Sequence, residues 1–314
     1  MGVKNQVFAS NAERGNFYNL SKKWGDKYRI YHNLPFLNIF ETKTLIDFSA
    51  FPLKSINIDD VELSRLKKTS VDYTLCDDGD KPLVCIDFDG YQEGYNVGTK
   101  YHFRTATNGW KEIIYDLKLK VAHGSLFPYF VLSSKEFADL SSDFCLTIVD
   151  GIIGEVFAKK ATSAKLSETF NPEEIGFTQE QFDEIDPSTQ HELIQDWVFG
   201  VEIEMDFEHN PIHRKTAELS MELGSPSHKF EFIYPPEVDK ARNYKERASL
   251  LDSALYQGAK VTIDSPSFGK IVAGVKMPNF KTPYFSGLGL AEEIAHLLAL
   301  QKLRRLMKKN DGCP

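Results

Sequence analysis

The chain predicts an α/β fold, on three observations. Apolar runs with strand-like patterning alternate with stretches of helical periodicity. Two of the runs meet at an Asp-Gly dipeptide, which tight hairpin turns favour. The segments follow in the order helix, strand, hairpin, helix, strand, helix, which lets helices cover both faces of one sheet.

The first helix starts in SNAERGNFYNLSKKW, where Ser10 with Glu13 three residues on makes a capping-box pattern and Phe17, Leu20 and Trp24 recur at helical spacing. YRIYHNLPFLNIF reads as short extended pieces, followed by a polar segment near Asp59 and Asp60. VDYTLCDDGDKPLVCIDFDG presents two apolar runs joined at Asp78-Gly79, a hairpin. NGWKEIIYDLKLKVAH is a second helix with Trp110, Ile113, Ile114, Leu117 and Val121 on one stripe, LFPYFVLSS a buried strand and SKEFADLSSDF a short helix.

From about residue 151 the character changes. AKKATSAKLSETFNPEEIG reads as a polar connector, TQEQFDEID as a helix, and VEIEMDFE as a long alternating strand with an acidic outer face. KFEFIYPP, GAKVTID and GKIVAGVKM read as further strands, and LAEEIAHLLALQKLRRLMKK as a terminal helix whose Ile294, Leu297, Leu298 and Leu303 form an apolar stripe. A chain of 314 residues can hold two ordinary cores, so the expectation is an α/β domain over 1–150 and an α+β domain over 151–314.

Hydrophobic residues at 42% and charged residues at 26% suit a folded globular protein. No apolar run approaches the roughly 18 residues that cross a bilayer, and MGVKNQVFAS lacks the layout of a secretion signal, so a cytoplasmic protein with no membrane partner is expected. Cys76, Cys85, Cys145 and Cys313 show no CxxC spacing, which supports neither a disulfide framework nor a zinc knuckle. The net charge of -8 counts against tight nonspecific nucleic-acid binding, which relies on Lys and Arg neutralising phosphates. Basic clusters such as Arg304, Arg305, Lys308 and Lys309 read as solvated faces, here also matching the helix dipole.

The chemistry concentrates where PLVCIDFDG drives an apolar strand into Asp87 and Asp89. With a two- or four-residue loop centred between Asp78 and Gly79, facing hairpin residues have numbers summing to 157, so Asp72 opposes Cys85. Asp87 then shares the face of Asp72, one diagonal away at about 7 to 8 Å between α-carbons. Carboxylates at that spacing can converge on a cation, and clustered acids resist burial unless a hard ion such as Mg2+ neutralises them. The same pattern is also explained by acids that merely end strands in solvent. On this reading of the residues Glu13 closes a helix cap, and Lys118 and Lys120 are the solvent edge of an amphipathic helix.

Taken together, Glu13 in SNAERGNFYNL, then VDYTLCDDGDKPLVCIDFDG, then DLKLKVAHGSLFPYFVLSS resemble the PD-(D/E)XK nuclease-like proteins of the DUF2726 type, relatives of the very-short-patch-repair endonuclease, over about residues 8–140. The resemblance implies a restriction-endonuclease-like core with a mixed sheet flanked by helices. It also implies metal-dependent hydrolysis of phosphodiester bonds in DNA or RNA, DNA favoured, with Mg2+ or Mn2+ as cofactor. Carried over by position, it makes Glu13, Asp72 and Asp87 metal ligands, and Lys118 the lysine that orients the attacking water or steadies the phosphate. Asp89, Glu93 and Lys120 are auxiliary.

The pattern departs from the family in two places. Asp87 stands where glutamate is usual, and Glu93 where related proteins often carry the histidine of DG-x-x-H. These departures open an alternative, a nuclease fold kept as a binding module with its metal chemistry weakened or lost. IDFDG also resembles the nucleophile motif of haloacid-dehalogenase-type phosphatases, although that family expects threonine where Tyr91 stands. In the second half, Glu202, Glu204, Asp206 and Glu208 read as solvated charge, and Asn210-Pro211 argues against a helix joining His209 to His213.

Overall fold

The computed structural model describes residues 8, 10–43, 45–47, 54–89, 109–132, 148–168, 170–234, 238–253, 256–278 and 287–310. In them the chain is α/β: a mixed four-stranded sheet and a three-stranded antiparallel sheet, both flanked by helices. Helix α1 (Asn11–Trp24) begins where Ser10 Oγ accepts the Glu13 N–H at 3.1 Å, the N-cap that its sequence promises. Strand β1 (Arg29–Pro35) follows as one seven-residue strand rather than short pieces, then the two-residue strands β2 (Ile46–Asp47) and β3 (Lys54–Ser55). The polar segment at Asp59 is a helix start: Asp59 and Glu62 close a full capping box on α2 (Asp60–Leu66).

Strands β4 (Ser70–Cys76) and β5 (Pro82–Phe88) form the expected hairpin, but in a different register. Tyr73 faces Ile86, Thr74 faces Cys85 and Leu75 faces Val84, so facing numbers sum to 159 rather than 157. The connection runs from Asp77 to Lys81, with Asp80 left-handed at φ 63° and a bulge between Leu75 and Cys76. Asp77 Oδ1 holds this turn by accepting the N–H groups of Gly79 at 3.0 Å and Lys81 at 2.9 Å. Both sums are odd, so Asp72 and Asp87 still share a face. The shift of two moves Asp72 from opposite Cys85 to opposite Asp87.

Helix α3 (Gly109–Gly124) crosses over from β5 to β6 (Tyr129–Leu132), which lies parallel to β5, giving the sheet order β1-β4-β5-β6. Side chains alternate through the sheet. Tyr73, Leu75, Val84, Ile86, Phe130 and Leu132 enter one buried cluster, whereas Cys85, Tyr129 and Val131 enter a second one with Phe36, Leu117 and Val121. The face that carries Cys85 and Asp87 is thus the face α3 covers. The short helix expected in SKEFADLSSDF lies outside the described residues.

The second half departs further from expectation. Residues read as a polar connector continue α4 (Ile148–Leu166), because a buried apolar first half from Ile148 to Ala158 establishes a helix that the polar residues only extend. After a 3-10 turn and α5 (Gln179–Asp183), the VEIEMDFE segment is not a strand but the end of α6 (Pro187–His209). Asp186 caps that helix and Pro187 occupies its first turn, while Ile203 and Phe207 stay exposed. The alternation therefore marks no buried face. Asn210-Pro211 breaks the chain but begins a new helix, α7 (Pro211–Glu222), in which Asn210 Oδ1 accepts the Ile212 and His213 N–H groups, each at 3.0 Å.

Strands β7 (His228–Ile233), β8 (Tyr256–Ser265) and β9 (Gly269–Pro278) pair antiparallel in that order, with α8 (Tyr244–Ser253) between β7 and β8 in sequence. Terminal helix α9 (Gly287–Asn310) buries Ile294, Leu297, Leu298 and Leu303 in one cluster with Val261, Ile263 and Val275. That cluster continues through Ile152 and Val156 of α4 to Tyr73, Ile86 and Phe130. At the junction Lys23 Nζ lies 2.7 Å from Asp150, Trp24 Nε1 donates to the same carboxylate at 3.0 Å, and the Tyr28 and Phe157 rings stack at 3.9 Å. No helix among the described residues is long and apolar enough to cross a membrane.

Helices α4 and α7 touch through glycine. A methyl group at Gly154 would lie 2.2 Å from Pro211 Cδ and 2.7 Å from the His209 carbonyl oxygen. Gly154→Ala is therefore expected to lower stability by about 1–3 kcal/mol, since a backbone carbonyl must move. Gly200→Ala on α6, where nothing lies within 4 Å, is expected to raise it by about 0.5–1 kcal/mol. Urea denaturation of the two variants against wild type measures both signs.

Candidate functional site

Asp87 lies near the carboxyl end of β5, level with Val131 of the parallel strand β6 and beneath α3. Its carboxylate is buried at 2% exposure and has donors on both oxygens. Lys118 Nζ donates to Oδ2 at 2.5 Å, the Tyr129 hydroxyl donates to the same oxygen, and the Asp72 N–H donates to Oδ1 at 3.0 Å. The Lys118 side chain is buried rather than lying at a solvent edge. Its ammonium also donates to the Ser70 carbonyl at 2.6 Å and lies 5.9 Å and 5.8 Å from the ring centroids of Phe36 and Tyr115. The helical stripe that carries Leu117 and Val121 into the core takes Lys118 beside it, and among the described residues its ion pair is with Asp87.

Asp72 returns the contact. Its Oδ2 accepts the Phe88 N–H at 2.7 Å, so each aspartate holds an amide of the strand opposite. Burial pushes the Asp72 carboxyl up to about 7; the Asp87 and Glu13 charges add to the rise, and the Phe88 N–H and Lys118 oppose it. Glu13 reaches this neighbourhood from α1. Its Oε1 lies 2.7 Å from His32 Nε2 on β1, and its main-chain carbonyl accepts the Tyr73 hydroxyl at 3.0 Å. The fold thus gathers Glu13, Asp72, Asp87 and Lys118 about one end of the β4–β5 hairpin. Among the described residues, however, the oxygens of the three acids do not close into a set mutually within 4.8 Å.

The auxiliary residues take different places. Asp89 is buried, and its N–H donates to the Leu132 carbonyl at 2.7 Å, carrying the parallel ladder one residue past β5. Lys120 points elsewhere, to Glu62 of α2 at 3.1 Å. Glu93 lies outside the described residues. Sequence reasoning missed Tyr129 and His32, the side chains that orient Asp87 and Glu13. A signal for Tyr129 was present: it supplies the only side-chain hydroxyl in β6, and a buried tyrosine hydroxyl seeks a partner. Nothing local marked His32.

Comparison of the chain with protein-family models, with curated proteins and with solved structures finds no match. The site is therefore interpreted from its own chemistry: oxygen donors and one ammonium, largely out of water, with more acid than base.

Two outcomes follow from the burial. The folded chain holds the Asp72 proton up to about pH 7, whereas an unfolded aspartate releases it near pH 4, so its stabilising contribution is full below about pH 4 and is lost as pH rises through 7. Asp72→Asn stays neutral, and its stability relative to wild type is expected to rise by about 2 kcal/mol between pH 5 and pH 8 in paired urea titrations. Lys118→Met strands the Asp87 carboxylate and is expected to cost about 3–5 kcal/mol, much of it recovered in Lys118→Met/Asp87→Asn, as thermal melts of the three proteins would measure.

Proposed function

We propose that this chain hydrolyses phosphodiester bonds of a nucleic acid, DNA in preference to RNA, with Mg2+ or Mn2+, on a restriction-endonuclease-like core of the PD-(D/E)XK kind. The observation that carries the reading is the buried Lys118–Asp87 pair set directly across the hairpin from Asp72. The element order supports it too: a helix with Glu13, three antiparallel strands, a crossover helix with Lys118, then a strand parallel to the third.

In its chemistry the donor set suits a hard divalent cation, although the three carboxylates would have to draw closer together to hold one. Its ligands would be carboxylate oxygens, and Asp72 holds its proton tightly first because it is buried and then because the Asp87 and Glu13 charges stand near it. Glu13, Asp72 and Asp87 would hold the ion, which when bound polarises a phosphate and makes water more acidic. The chain's own residues do the rest. Tyr129 and the Asp72 N–H fix the Asp87 carboxylate, and His32 fixes that of Glu13. Lys118 supplies a compact positive charge that stabilises the charge growing on phosphate oxygens.

One observation favours a second reading, a nucleic-acid-binding module without cleavage: three donors already occupy the Asp87 oxygens. Incubating DNA and RNA with wild type, Asp87→Ala and Lys118→Ala, each in Mg2+ and in Mn2+, separates the two. Cation-dependent cleavage by wild type is expected, reduced about 100-fold or more in each variant whose circular dichroism shows a folded chain. Binding without cleavage by all three proteins would support the module instead, and undiminished cleavage by the variants would remove these residues from the mechanism.

A further inference from the structure

A second group of chemically capable side chains lies in the other half of the molecule, where α6 meets α7. In an unbroken helix Asp206 and His213 would stand about 10.5 Å apart along the axis, at roughly 1.5 Å per residue. The break at Asn210-Pro211 turns them together, so that His213 Nδ1 lies 3.5 Å from Asp206 Oδ2. Glu293 of α9 approaches the same nitrogen at 3.7 Å, and one ligand atom from each of the three residues lies within 4.8 Å of the other two.

Behind these atoms the buried Asn210 turns Nδ2 toward three carboxylates: Glu155, Asp206 at 3.3 Å and Glu293 at 3.2 Å. An amide nitrogen carries only two hydrogens, so it cannot serve all three. Glu155, on α4 and 3% exposed, adds an independent sign. Its Oε2 takes the Asn210 amide, and Oε1 lies 3.9 Å from the Lys159 ammonium, an ion pair longer than a hydrogen bond. A carboxylate more than nine-tenths buried thus stands beside the cluster, held by the Asn210 amide on one oxygen and by an ammonium 3.9 Å from the other. Lys159 is shared with Asp206 at 3.7 Å, which leaves three carboxylates against one ammonium and one imidazole.

We propose that Asp206, His213 and Glu293 bind a divalent first-row transition-metal ion, such as Zn2+, that ties α6, α7 and α9 across the helix break. One imidazole nitrogen beside two carboxylates selects such an ion over Mg2+ or Ca2+, which favour all-oxygen sets. His213 is half-exposed, so the outer side of the ion keeps water. The site shares no residue with the Asp72–Asp87 centre and stands or falls independently of it.

The test uses the full chain after chelator treatment, titrated with Zn2+, Co2+ or Mg2+ in a calorimeter. Saturable binding of one Zn2+ is expected, with a raised melting temperature. His213→Gln and Glu293→Gln should each weaken it about tenfold or more, Asp72→Asn should leave it unchanged, and Mg2+ should compete poorly. Co2+ should give visible absorption bands that His213→Gln removes. Both altered side chains are partly exposed, and circular dichroism verifies that the variants fold. Absence of Zn2+ binding, binding indifferent to both variants, or binding lost in Asp72→Asn alone would overturn the proposal. None of these results bears on whether Asp87→Ala stops nucleic-acid cleavage.

Discussion

A lysine ammonium held 2.5 Å from an aspartate, with the two side chains 5% and 3% exposed, is the constraint around which the first half of this molecule is arranged. Taking both charges out of water costs several kcal/mol each, and attraction offsets this only if the remaining donors and acceptors are also satisfied. They are: Tyr129 and the Asp72 amide complete Asp87, while the Ser70 carbonyl and two aromatic faces complete Lys118. The partners come from several elements: Ser70 and Asp72 from β4, Tyr129 from β6, Tyr115 from α3 itself and Phe36 from the turn after β1. The hairpin register, the crossover helix and the parallel strand must all be right together, because a slip of one residue turns Asp87 to the opposite face of the sheet.

The same physical problem recurs where α4, α6, α7 and α9 meet, and is answered differently. Around Asp87 the burial of charge is balanced by a lysine in direct contact. Around Asn210 the Lys159 ammonium lies 3.7 to 3.9 Å from the carboxylates of Asp206 and Glu155, and a neutral amide faces three acids. Charge is thus closely compensated in one half and loosely compensated in the other. Chelation by an external cation is a natural remedy where compensation is loose. Helix α4 links the two regions, since Asp150 holds Lys23 and Trp24 of α1 while Glu155 faces Asn210.

Part of the candidate site, the pairing of Asp72 with Asp87, was legible from local rules, whereas Glu13 and Lys118 entered it through the family resemblance. Asp87 ends an apolar strand, Asp72 lies at the far end of the same hairpin, and Glu13 follows an N-cap serine by three residues. The face shared by Asp72 and Asp87 was legible from parity alone, whereas their direct opposition depended on a five-residue connection, Asp77 to Lys81, with a left-handed Asp80. The burial of Lys118 was not legible: amphipathic spacing places a lysine at the margin of a helix, and only the neighbour across the sheet decides whether that margin meets water or a carboxylate. Tyr129 and His32 were missed because their partners lie 42 and 19 residues away along the chain.

By itself the sequence determined α1, the β4–β5 hairpin, the long strands β8 and β9 and the apolar stripe of α9, because caps, turn dipeptides and periodicity act within a few residues of one another. Tertiary structure decided the rest. Eight residues of VEIEMDFE satisfy the two-residue period of a strand, yet they continue a helix that Asp186 and Pro187 began well upstream, and of their apolar residues Val201 is buried while Ile203 and Phe207 stay exposed. Whether an acid, a lysine or a histidine becomes part of a site was settled in the same way, by long-range partners that replace the water it loses.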